Sequence, residues 1–163
     1  MSQHFNLQIP RAQSDDGQIK VTAPYDGTLI ATVTAADADA VELALSTADR
    51  LYRDRDLWLK PAKRMEILEK TASIMSERAE ELAVEAAREG GKPLIDSRAE
   101  VARAIDGVRN CIEVLRTQAG EEIPMNLNPA SEGKFAVTRH EPIGIVVAVS
   151  AFNHPLNLIV HQV

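Results

Sequence analysis

The sequence holds a single cysteine, Cys111, which excludes a disulfide within the chain and leaves no Cys-x-x-Cys pair for a metal or for redox chemistry. A reducing compartment suits such a composition, and the cytoplasm is the expected location. Basic tracts are missing as well. The 18 Lys and Arg are scattered among 24 Asp and Glu, and the formal net charge of -6 argues against a nucleic-acid partner. The longest apolar run, residues 143–152, is interrupted by Gly144 and Ser150 and falls far short of the roughly 20 residues of a membrane span. The opening MSQHFNLQIP has neither the basic start nor the apolar core of a secretory signal. His4, His140, His154 and His161 show no i,i+4 pairing and no His-Glu-x-x-His arrangement, so no metal site is expected.

Apolar residues make up 45% of the 163, enough for the core of about one domain. Residues 1 to 18 are polar, with a turn expected at Asp15-Asp16-Gly17. Two β-rich runs follow, Ile19 to Thr22 and Thr28 to Thr34, and the Pro24-Tyr25-Asp26-Gly27 between them has the turn chemistry of a surface hairpin. Thr34 with Asp37 three residues on forms a capping-box-like start for an amphipathic helix over residues 36–52, whose Val41, Leu45, Ala48 and Tyr52 share a face. A second helix begins at Lys60-Pro61 and carries Met65, Leu68, Ala72 and Met75 on one side. It restarts near Ser76 and runs through Leu82 and Ala86 to Gly90-Gly91, where a glycine can take the left-handed cap and Pro93 prevents continuation. In the third helix Val101, Ile105, Val108, Ile112 and Leu115 step by four and three until Gly120. Beyond it, turns at Asn128-Pro129 and Glu132-Gly133 alternate with extended runs that include Phe135 to Arg139, which predicts a second, outwardly polar hairpin. IGIVVAV, from Ile143 to Val149, is β-branched without alternation and predicts a strand buried on both faces of a parallel sheet.

Few residues carry a chemical signal. Asn153 lies just past the C-terminal end of the predicted buried strand, where an open α/β sheet places its ligands. Its carboxamide could donate to an oxyanion, or it could cap the helix that starts near Pro155, a commoner role for asparagine. EGGKP, Glu89 to Pro93, fails as a phosphate loop: Ala86 stands at the first glycine position and Pro93 at the required Ser or Thr. A helix C-cap with Lys92 near the negative end of the dipole is the simpler reading. Cys111, inside the third helix beside its apolar stripe, reads as a buried or half-buried thiol rather than a nucleophile. His154 reads as a solvated first-turn residue, and Glu80-Glu81 and Glu121-Glu122 as solvated charge.

Taken together, PYDGTLIATV, Arg64 in the helical stretch that ends in EGGKP, the Glu100-Val101 helix and EPIGIVVAVSAFNHPLNLI resemble the N-terminal part of the NAD(P)-dependent aldehyde dehydrogenase superfamily. The order and spacing match over nearly the whole chain. The last stretch is the most specific, being similar to the family's Pro-x-Gly-Val-Val and Ile-Pro-Trp-Asn-x-Pro-Leu segment, although Ala151 stands where many members have proline and Phe152 where many have tryptophan. The resemblance implies an α/β fold made of a β-hairpin, helices, an oligomerisation hairpin, and the first strand and helix start of a Rossmann-like parallel sheet. Residues 1–120 would belong to the cofactor-binding domain, 121–142 to the oligomerisation arm and 143–163 to the Rossmann-like sheet, with the catalytic domain outside the chain.

The same resemblance implies oxidation of a small aldehyde to its carboxylic acid with NAD or NADP, through a cysteine thiohemiacetal and thioester, in a homo-oligomer of two or four subunits. It implies no nucleic-acid or membrane partner. Asn153 takes the place of the oxyanion stabiliser, and the backbone of Val149, Ser150, Ala151 and Phe152 would line the cofactor cleft. FNHPLNLIVHQV is most similar to the branch acting on small, often anionic aldehydes such as lactaldehyde or phosphonoacetaldehyde. Cys111 does not match the nucleophile motif, so the nucleophile and the general-base glutamate are expected beyond residue 163. The 163 residues alone are then expected to be inactive and to leave core surface uncovered. The alternative is a truncated, non-catalytic folding or assembly module.

Overall fold

Local turn chemistry is enough to explain the first hairpin. The computed structural model describes residues 3–13 and 17–163. The expected hairpin is β2 (Gln18–Thr22) against β3 (Leu29–Thr34), antiparallel, with a bulge at Val21/Thr22. Its turn closes through the Ala23 N–H on the Thr28 carbonyl (2.9 Å), while the Asp26 carboxylate accepts from the Thr28 N–H (2.9 Å). Gly27 supplies the positive φ of 73° that the turn requires. A third strand, β1 (Gln3–Phe5), adds parallel to β3 and gives the order β1-β3-β2. The polar reading of residues 1–18 missed it, because three residues are too few to show a period. Of the expected turn, Asp15 and Asp16 lie outside the described residues.

Four helices follow. α1 (Ala38–Arg53) starts two residues later than expected, and its cap is Asp37, whose carboxylate accepts from the Ala40 N–H at 2.8 Å, rather than Thr34. Thr34 is instead the last residue of β3. α2 (Pro61–Glu77) begins on proline and breaks at Arg78, and α3 (Ala79–Gly90) ends with Gly91 in the left-handed region at φ 65°. α4 (Leu94–Thr117) is the longest, with 24 residues. The core lies between α2, α3 and α4 and gathers Ala72, Met75, Ala83, Val101, Ala104, Ile105 and Val108, joined at its edge by Leu68, Leu82 and Leu94. Alanine supplies three of these seven, at Ala72, Ala83 and Ala104. The stripe predicted for the third helix is buried through Ile112, with Leu115 half-buried. Cys111, by contrast, is exposed. One residue before Ile112 is a rotation of about 100°, enough to carry the thiol off the buried face.

A short hairpin comes next, β4 (Glu122–Ile123) antiparallel to β5 (Ala136–Val137). Gly120 sits at its base, where a Cβ would lie 1.7 Å from the Thr138 carbonyl oxygen, so no other residue fits without moving the hairpin.

The expectation for residues 143–149 needs correction. The segment forms no strand, and Ile143 and Val147 are 89% and 76% exposed. β-branched side chains favour extended backbone, but a strand exists only where a ladder satisfies its peptide groups. Among the described residues none supplies one. Two tethers hold the segment instead: the Tyr52 hydroxyl donates to the Ile143 carbonyl (3.3 Å), and the Gln162 side chain accepts from the Val149 N–H (2.8 Å) and donates to its carbonyl (3.1 Å). The chain then turns into α5 (Pro155–Val160), six residues packed on the core by Leu156 and Val160. Among the described residues no helix is long and apolar enough to cross a membrane.

Candidate active site

Asn153 sits at the turn between the extended segment and α5, and that turn is held from α4. Glu100 occupies the position four residues before Ala104 and eight before Val108, on the buried face of α4, and is only 2% exposed. Its Oε1 accepts from the Leu156 N–H (2.8 Å) and the Asn157 N–H (3.1 Å), the second and third residues of α5. An N-cap side chain normally makes such bonds from the residue just before the helix; here the carboxylate comes from 56 residues earlier in the chain. Lys92, in the turn after α3, donates through Nζ to Glu100 Oε2 and to the Asn153 carbonyl (3.0 Å). His154 Nδ1 lies 3.8 Å from the same Glu100 Oε2.

Electrostatics support this arrangement. Burial on its own would push the Glu100 carboxyl up, but the hydrogen bond from Lys92 and the N–H groups of Asn157 and Leu156 outweigh it and hold the pKa below the ordinary 4.5. The group is therefore an anion at neutral pH, with a cation and two amides on its oxygens. Glu89, nearby at the end of α3, is shifted the other way, by desolvation and by the charges of Glu85 and Glu100.

Of the two roles open to Asn153, the capping one is not made in this geometry. Glu100 caps α5, and the residue in the N-cap position is His154, without a side-chain cap bond. Among the described residues the Asn153 carboxamide makes no hydrogen bond, and it borders an open groove of about 450 Å³ lined also by Lys92, Asp96, Ala99, Glu100, Arg103 and His154. A free carboxamide over a groove can donate to a developing negative charge. Of the other residues singled out in the sequence, Val149 has both peptide groups taken by Gln162, and the Ser150 hydroxyl donates to the Pro155 carbonyl (2.7 Å). The peptide groups of Ser150, Ala151 and Phe152 make no hydrogen bonds among the described residues, and the Phe152 side chain is 90% exposed. The structure thus brings Asn153 together with its neighbours and keeps Cys111 apart on the outer face of α4.

Sequence reasoning passed over Lys92 and Glu100 as the groups that hold this turn. Glu100 left a signal: an acid at helical spacing on an apolar face calls for a buried partner.

The comparisons with known proteins agree with the fold. The sequence model of the aldehyde dehydrogenase family matches residues 11–163. A 3-sulfolactaldehyde dehydrogenase of Priestia aryabhattai is 32% identical over 145 residues, which are 89% of this chain and 30% of that protein. Aldehyde dehydrogenase 21 of Physcomitrella patens, solved with the reaction product succinate, superposes with a TM-score of 0.90 at 29% identity, covering 99% of this chain and 34% of that one. The glyceraldehyde-3-phosphate dehydrogenase GapN of Methanocaldococcus jannaschii, solved with NADP, gives 0.80 at 31% identity over 92% of this chain and 31% of that one. The chain therefore spans about a third of the length of the relatives it matches.

Proposed function

The chain belongs to the aldehyde dehydrogenase family, and from that premise we propose that it is the N-terminal part of an NAD(P)-dependent enzyme that oxidises a small aldehyde to its carboxylic acid. The observation that carries the reading is the Asn153 carboxamide, unbonded among the described residues at the edge of a groove while its backbone and the helix after it are held. In this reading a cysteine thiolate from another part of the protein attacks the aldehyde carbon, and the carbonyl oxygen becomes an oxyanion. Asn153 donates an N–H to it. That interaction is stronger in the transition state than before attack, so it lowers the barrier instead of merely tightening binding. The dinucleotide supplies a hydride acceptor when bound. The bare peptide groups of Ser150, Ala151 and Phe152 suit the wall of its cleft, whereas Val149 contributes its side chain, because its peptide groups are engaged by Gln162.

The substrate we propose is a short aldehyde with an anionic tail. Arg103 lies on the groove wall with Asn153 and makes no ion pair among the described residues, which leaves a guanidinium for a carboxylate, sulfonate or phosphate. Residues 121–142, with the exposed β4–β5 hairpin, serve in this reading as the arm between subunits.

The test is the full-length enzyme with Asn153→Ala. The pre-steady-state burst of reduced nicotinamide should slow by about 10²- to 10³-fold, the loss associated with one oxyanion donor, while cofactor affinity holds. An unchanged burst would remove Asn153 from the chemistry.

A further inference from the structure

We propose that Lys92 and Glu100 are positioning residues for Asn153, forming a charge clamp that sets the direction of its carboxamide. The inference rests on the reading of Asn153 as the oxyanion donor. Three observations carry it. Lys92 grips the Asn153 carbonyl at 3.0 Å, on the same residue whose side chain faces the groove. Glu100 grips the N–H groups of Leu156 and Asn157, so the chain is held on both sides of the turn. The two grips are one unit, because Lys92 and Glu100 also bond each other, with side chains only 14% and 0% exposed.

A backbone fixed before and after residue 154 leaves the Asn153 side chain few directions, and its amide loses little freedom when the oxyanion forms. The clamp also explains why this turn can do without a local cap. Any residue capping α5 from position 153 or 154 would turn its side chain toward the helix and away from the groove. Supplying the cap from α4 frees the asparagine. Neither Lys92 nor Glu100 need touch the substrate for this.

A double-mutant cycle on the burst phase of the full-length enzyme separates positioning from general support of the fold. Lys92→Met should slow the burst by up to about 10²-fold, the scale of loss when a reacting group is misplaced by about 1 Å, with cofactor affinity unchanged. In an Asn153→Ala background the same change should cost less than about twofold, because no carboxamide remains to be misdirected. Lys92→Arg should recover part of the rate. Equal losses in both backgrounds would overturn the clamp, as would an unchanged burst in Lys92→Met when Asn153→Ala is slow. If Asn153→Ala is itself without effect, the oxyanion reading fails and takes the inference with it. Should Lys92→Met not fold, Glu100→Gln serves in its place. It keeps an acceptor oxygen for α5 but gives up the charge that holds Lys92, and it must show the same dependence on Asn153.

Discussion

α4 and α5 are helices of opposite kinds, and the difference between them shows how this site is built. α4 has 24 residues and an apolar stripe that α2 and α3 cover. Each large aliphatic side chain buried there contributes about 1.5–3 kcal/mol before chain entropy is subtracted. α5 has six residues, well below the roughly 12–15 at which an isolated helix becomes even marginal. It has no cap of its own and leans on α4 through Leu156, Val160 and the Glu100 carboxylate. The long helix, packed between α2 and α3, carries no candidate catalytic group, while the short one beside Asn153 is held by it. The turn at Asn153 is thus held by groups far away in sequence.

The largest effect should come from cutting that dependence. Glu100→Ala in the full-length protein leaves Lys92 and two α5 amides without their partner, and removing one side of a buried charge pair costs about 3–5 kcal/mol. Hydrogen exchange should show the loss at Leu156 and Asn157 while the amides of α4 keep their protection; equal loss in both helices would erase the distinction between them.

Acid should reproduce part of this without mutation. The Glu100 pKa is lowered in the folded state, so its contribution is complete above the ordinary value of 4.5 and fades as pH falls through the lower folded value. Amide chemical shifts of Leu156 and Asn157 should move in that acidic window, and the shifts should vanish in Glu100→Gln. Titration at or above 4.5 would contradict the sign of the shift.

A smaller effect should split the two helices in opposite directions. Gly107 lies inside α4, where alanine would raise helix stability by up to about 1 kcal/mol. The added Cβ, however, would approach the Val160 Cγ1 to 3.3 Å, a tight contact against α5. Gly107→Ala should therefore protect α4 amides slightly more and α5 amides slightly less. A uniform change would mean that α5 is not seated on α4 in the way described.

The sequence made the helices legible because their apolar residues recur within a few turns, as with Val101, Ile105 and Val108, and because Gly91 and Pro61 mark ends by local chemistry. The β2–β3 hairpin was readable for the same reason, its turn residues being contiguous. What escaped was non-local. Residues 143–149 have the side chains of a strand but lack the ladder that would make them one. Cys111 missed the buried face by a single step of rotation. At the site, Asn153 stood out from its motif, yet its freedom to act could not be read there. The turn that carries it is held by Glu100 and Lys92, whose bonds to it span 56 and 61 residues.

Pinned near its two ends by Tyr52 and Gln162, the stretch between Ile143 and Val149 presents peptide groups that, at residues 144–148, bond to nothing among the described residues. Such a ribbon is a template for any strand that reaches it. Its fate is a kinetic race: closure by neighbouring segments of the same molecule proceeds at a rate independent of concentration, whereas zipping with the ribbon of a second molecule accelerates with the square of concentration. Dilution therefore favours pairing within one molecule over pairing between two at this bare edge.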